Sequence, residues 1–73
     1  MTPKERFIAQ AALRVGRSAR LEQLYSSMSA ATAIDHDELK PIVQQLVTAG
    51  YLKVCTTPEK SESWYEKGDM WRG

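Results

Sequence analysis

The chain has 73 residues, with ten Lys and Arg against nine Asp and Glu, a net charge of +1 and one cysteine. A chain this short supports one small hydrophobic core and not two. The lone cysteine excludes an internal disulfide, and the near-neutral charge gives no global case for nucleic acid. The charge is uneven, however. Lys4, Arg6, Arg14, Arg17 and Arg20 face only Glu5 in residues 1–20, residues 21–52 set four acids against Lys40 alone, and the remainder is balanced.

Thr2-Pro3-Lys4-Glu5 reads as a helix start, with Thr2 as N-cap, Pro3 at the first helical position and Glu5 closing a capping box. In the helix that follows, Phe7, Ile8, Ala11, Ala12 and Val15 share one arc, the expected core face, while Arg6, Gln10 and Arg14 line the other side. Leu13 falls outside the apolar arc beside Arg6. It packs beneath a later segment or stands out as an anchor for a partner, and packing is the favoured reading. Gly16 ends the helix, and Leu21, Leu24, Tyr25 and Met28 mark a second one.

Ser29-Ala30-Ala31-Thr32-Ala33 has no apolar period and reads as a connection. Asp35 and Glu38 then form a second capping-box pattern ahead of Leu39, Ile42, Val43, Leu46 and Val47, which fall on one helical face. Pro41 removes one hydrogen bond near the start of this third helix, and Ala49-Gly50 closes it with glycine where a left-handed cap is needed. Tyr51 to Thr57 alternates as a strand, Pro58 to Glu62 has turn composition, and Ser63 to Glu66 supplies a return strand. Asp69 to Gly73 is a short tail whose Met70 and Trp71 are too apolar to be merely solvated.

The spacing of Ile34, Asp35, Leu39, Val43, Leu46, Ala49, Gly50, Tyr51 and Leu52 resembles that of the winged helix-turn-helix family. The resemblance implies an α+β fold, mostly α: a three-helix winged helix-turn-helix-like domain over residues 1–68 with a C-terminal β-hairpin wing, then a tail over 69–73. The connection read between Met28 and Ile34 is a few residues longer than the tight turn typical of that family.

In DNA-binding members, the exposed face of the third helix reads base edges in the major groove. By position that face holds Asp37, Glu38, Pro41, Gln44 and Gln45, with His36 and Lys40 at its margins. Carboxylates there oppose a phosphate backbone, although capping and the helix dipole explain them equally well. The turn between the strands is similar, since Lys60 lies between Glu59 and Glu62. Lys40, Gln44, Gln45 and Lys60 are therefore the residues a nucleic-acid reading would use. The basic set Lys4, Arg6, Arg14, Arg17 and Arg20, with Leu13, suits a protein partner instead, because interface hot spots pair apolar anchors with arginine; a solvated face is the plainer alternative.

Catalysis has no support in these residues. His36 is the single histidine, so there is no Cys/His metal cluster and no relay, and no serine or carboxylate spacing defines a nucleophile and base. No cofactor and no metal are expected. Cys55 reads as an ordinary strand residue, and Trp64, Tyr65 and Trp71 read as divided between core and surface rather than as a stacking platform.

No apolar run approaches the roughly 18 residues of a membrane span, and the start lacks a signal-peptide core, so a cytoplasmic protein without a membrane partner is expected. By size and charge pattern the chain looks like the small phage-encoded factors that bind host RNA polymerase and alter initiation or termination. The expectation is a non-enzymatic transcription regulator acting through protein contacts with RNA polymerase or another transcription protein, as a monomer or homodimer. The alternative is a sequence-specific DNA-binding repressor or excisionase-like factor that dimerises through its aromatic tail.

Overall fold

A computed structural model of the chain describes residues 1–72; the last residue of the expected tail, Gly73, lies outside the described residues. Three helices precede a hairpin: α1 (Pro3–Arg14), α2 (Leu21–Thr32), α3 (His36–Thr48), β1 (Leu52–Thr56) and β2 (Ser63–Lys67). The fold is α+β and mostly α, as expected.

Both halves of the Thr2–Glu5 capping box form. The Glu5 amide donates to Thr2 Oγ1 at 3.1 Å and the Thr2 amide to Glu5 Oε1 at 2.8 Å. These bonds satisfy donors that the first turn leaves without partners. At the other end of the helical unit, the Gly50 amide bonds to the Val47 carbonyl and the Tyr51 amide to that of Leu46, with Gly50 at φ +87°. This is the glycine-closed helix end expected from Ala49-Gly50.

Three details differ from expectation. The stretch Ser29 to Ala33 is not a loop: α2 runs on to Thr32, and Ala33 closes it in the left-handed conformation at φ 59°. Ala30 and Ala31 are strong helix formers, and Thr32, 8% exposed, returns its hydroxyl to the Met28 carbonyl at 2.7 Å. Only Ala33, Ile34 and Asp35 therefore connect α2 to α3, and the turn between these helices is tight. The second capping box does not form, since the Asp35 side chain makes no cap bond and Glu38 pairs with Lys4 of α1.

The third difference concerns α1. Phe7, placed on the core face by periodicity, is 50% exposed, whereas Ile8, Ala9 and Ala12 are buried. Helices α2 and α3 and strand β2 all pack on α1 along its alanine side, which turns Phe7 to the edge. Leu13 and Val15 are partly buried against the core, the packed reading of Leu13.

Ile8, Leu24, Met28, Leu39, Val43, Leu46, Leu52 and Tyr65 join the alanines in one core shared by all three helices and the hairpin. The strands pair antiparallel with Leu52 opposite Lys67, Val54 opposite Tyr65 and Thr56 opposite Ser63. A contact not foreseen in the sequence ties the α1–α2 connection to the hairpin. Ser18 and Ser63 exchange two backbone hydrogen bonds, of 3.0 and 2.7 Å, as an isolated antiparallel bridge. The tail folds back as well, with the Met70 amide donating to the Gly50 carbonyl at 2.8 Å and Trp71 packed against the core.

Candidate functional site

Two surface grooves, together with ion pairs between the described residues, organise the surface. The first groove, of about 320 Å³, runs along the outer side of α1, where Phe7, Gln10, Ala11, Arg14 and Val15 meet Ala31 near the end of α2. Phe7, Ala11 and Arg14 follow each other at helical spacing, so they make one stripe. The second, of about 400 Å³, lies where Leu21 and Tyr25 of α2, Gln44 and Val47 of α3 and Val54 of β1 converge. Its floor includes Tyr65, whose hydroxyl is pushed well above the ordinary tyrosine range by burial and a hydrogen bond with Tyr25. Of the exposed large apolar side chains Phe7, Leu21, Val54 and Met70, the first three edge one groove or the other.

The basic set separates into different roles. Lys4 pairs with Glu38 and so links α1 to α3. Arg17 reaches Glu62 at 3.4 Å and lies 4.2 Å from the centre of the Trp64 ring, which fastens the α1–α2 connection to the hairpin beside the Ser18–Ser63 bridge. The outer face of the hairpin continues this network. Trp64 Nε1 donates to Glu66 at 2.7 Å, and that bond holds the Glu66 carboxyl below its ordinary pKa. Arg14 lines the first groove and makes no ion pair among the described residues, and Arg20 occupies the N-cap position of α2 with its side chain exposed.

The residues of the nucleic-acid reading are likewise spread out. Lys40, the one cation on α3, bonds Glu22 of α2 at 2.9 Å and lies over the Tyr25 ring at 5.4 Å; the bond to Glu22 raises its pKa. Gln44 lines the second groove and Gln45 is exposed. Lys60 sits at the hairpin tip in the left-handed region, φ 58°, after a turn in which its amide donates to the Thr57 carbonyl at 2.8 Å. The outer face of α3 thus presents Asp37, Pro41, Gln44 and Gln45 to solvent with its cation held sideways.

Cys55 is half-buried, and burial followed by the charge of Glu66 pushes its thiol up, away from the reactive thiolate form. Among the described residues, no group of three or more His, Cys, Asp or Glu is placed to hold a metal ion, and no helix is long and apolar enough to cross a membrane. No family model, curated protein or solved structure matches the chain.

Proposed function

We propose that this chain is a small non-enzymatic transcription regulator of winged-helix type, cytoplasmic, acting by protein contact with the transcription machinery, with RNA polymerase as the partner. The observation that carries the reading is the outer face of α3, whose only cation, Lys40, is bound to Glu22. Binding to duplex DNA depends on cations that displace condensed counterions from phosphates. A face of Asp37, Gln44 and Gln45 lacks them and meets that backbone with a carboxylate. The outer side of α1 sets a cation outside the ion pairs of the described residues, Arg14, beside the exposed aromatic side chain of Phe7 in one groove.

One observation favours the second reading, a DNA-binding repressor or excisionase-like factor. The Ala33-Ile34-Asp35 turn sets α2 and α3 in the tight succession of a helix-turn-helix. The two readings separate in one experiment with purified components. Immobilised protein is expected to retain nuclease-treated RNA polymerase, with retention lost on Arg14→Glu. A salt-dependent shift of random duplex DNA, abolished by Gln44→Ala with Gln45→Ala, would establish the DNA reading in its place.

A further inference from the structure

We infer that the groove edged by Phe7 and Arg14 receives an acidic amphipathic helix of a partner protein, an inference that rests on the protein-contact reading and names the chemistry of the contact. The groove has one charged lining residue, Arg14, and no carboxylate. Glu5, the single acid within residues 1–20, is engaged by the Thr2 amide at the N-cap, so nothing on α1 neutralises this end of the helix. Phe7 offers an exposed aromatic face two turns away, about 10 Å along the axis, and Ala11 and Ala31 between the helices leave room for a third backbone to approach. An aromatic anchor and an arginine on one stripe match a helix that carries an apolar residue and, two turns on, a carboxylate.

Alternative occupants fit less well. A phosphate backbone calls for several cations and no aromatic anchor, whereas the groove has one cation and is otherwise largely apolar. In a second copy, the exposed large apolar side chains on the described helices are Phe7 and Leu21, and neither stands two turns from a carboxylate. Leu39, Val43 and Leu46 of α3 are buried, Glu38 is paired with Lys4, and Met70, exposed on the tail, lies outside any helix. The occupant is therefore a foreign helix whose acidic side flanks an apolar seam.

The test uses the full chain, isotopically labelled for amide spectra, and a synthetic helix of about fourteen residues, roughly four turns, with a leucine seam and glutamate elsewhere. A second peptide replaces every glutamate with lysine. The expected result is saturable shifts at Phe7, Gln10, Ala11, Arg14 and Ala31 with the glutamate peptide and none with the lysine peptide. Phe7→Ala and Arg14→Glu are each expected to weaken binding about tenfold or more. Lys60→Glu, an identical change of charge at the hairpin tip, should leave it unchanged.

Equal binding of the lysine peptide, shifts centred on the Leu21–Val54 groove, or groove shifts that follow protein concentration without peptide would each overturn the inference. Because both variants alter exposed side chains, unchanged thermal unfolding shows that the loss is of binding and not of fold. The fate of the transcription reading is separately visible. Polymerase retention that survives Phe7→Ala and Arg14→Glu removes the groove and leaves the protein-contact reading. Peptide binding without polymerase retention does the reverse.

Discussion

Helices α1 and α3 are nearly equal in length, both amphipathic and both packed in the same core, yet their outer faces have been put to different use. On α3 two of the three charges are taken up by the fold, Glu38 by Lys4 and Lys40 by Glu22, and Asp37 stays in solvent. On α1, although Lys4 is paired, Phe7 is half exposed and Arg14 makes no ion pair among the described residues, both along one groove. The difference teaches that local charge balance is a poor guide to a working surface. What matters is the charge left over after neighbouring elements have taken their partners, because exposed pairs add little stability but do cancel the local field.

The largest expected effect tests whether the two helices are anchored alike. Ile8→Ala and Leu39→Ala, each at a fully buried position, should cost about 3 kcal/mol apiece by urea denaturation, and a cost below about 1 kcal/mol for either would break the symmetry of their inner faces. The outer faces are expected to part next. Arg14→Glu should weaken partner binding about tenfold while changing stability by less than about 0.5 kcal/mol, whereas Gln44→Ala with Gln45→Ala should change neither. Asp37→Lys with Glu38→Lys should give α3 a salt-dependent affinity for random duplex DNA that the parent lacks, measured by mobility shift at low and high salt.

A smaller effect concerns the turn that aims α3. Ala33 adopts the left-handed conformation that costs a residue with a Cβ roughly 1 kcal/mol, so Ala33→Gly should raise stability by about that amount in thermal unfolding. The smallest effect contrasts the two helix starts. Glu5 has its pKa lowered, first by its hydrogen bond with the Thr2 backbone. A carboxyl depressed in the folded state contributes stability above its unfolded pKa, near 4.5, and that contribution fades as pH falls through the lower folded value. The melting temperature should therefore fall on acidification below about pH 4.5, less steeply in Glu5→Gln. Asp35→Asn, at a start whose side chain makes no cap bond, should leave the neutral-pH melting temperature unchanged.

Much of this architecture was legible residue by residue. Thr2-Pro3-Lys4-Glu5 specified a helix start, Ala49-Gly50 specified its glycine-closed counterpart, and the Pro58–Glu62 turn separated two strands, since each is governed by interactions within a few residues. The second connection was misread for an equally local reason. Ser29 to Thr32 lacks an apolar period, but its helix is held by Thr32 bonding back to Met28 and by burial against neighbours that periodicity does not see. The basic set was recognisable as a set, while its division into Lys4 and Arg17 as fasteners and Arg14 as a groove residue was not.

The sequence by itself determined the order of elements, the start of α1, the glycine-closed end of α3 and the excess of positive charge near the start, because capping, periodicity and composition act over a turn or two of chain. Only the tertiary structure decided which face of α1 is interior and which cations remain unpaired. Those outcomes depend on Glu38, Glu62 and Glu22, carboxylates brought from other elements to Lys4, Arg17 and Lys40, and on α2, α3 and β2 closing over the alanine side of α1 so that Phe7 is left at its edge.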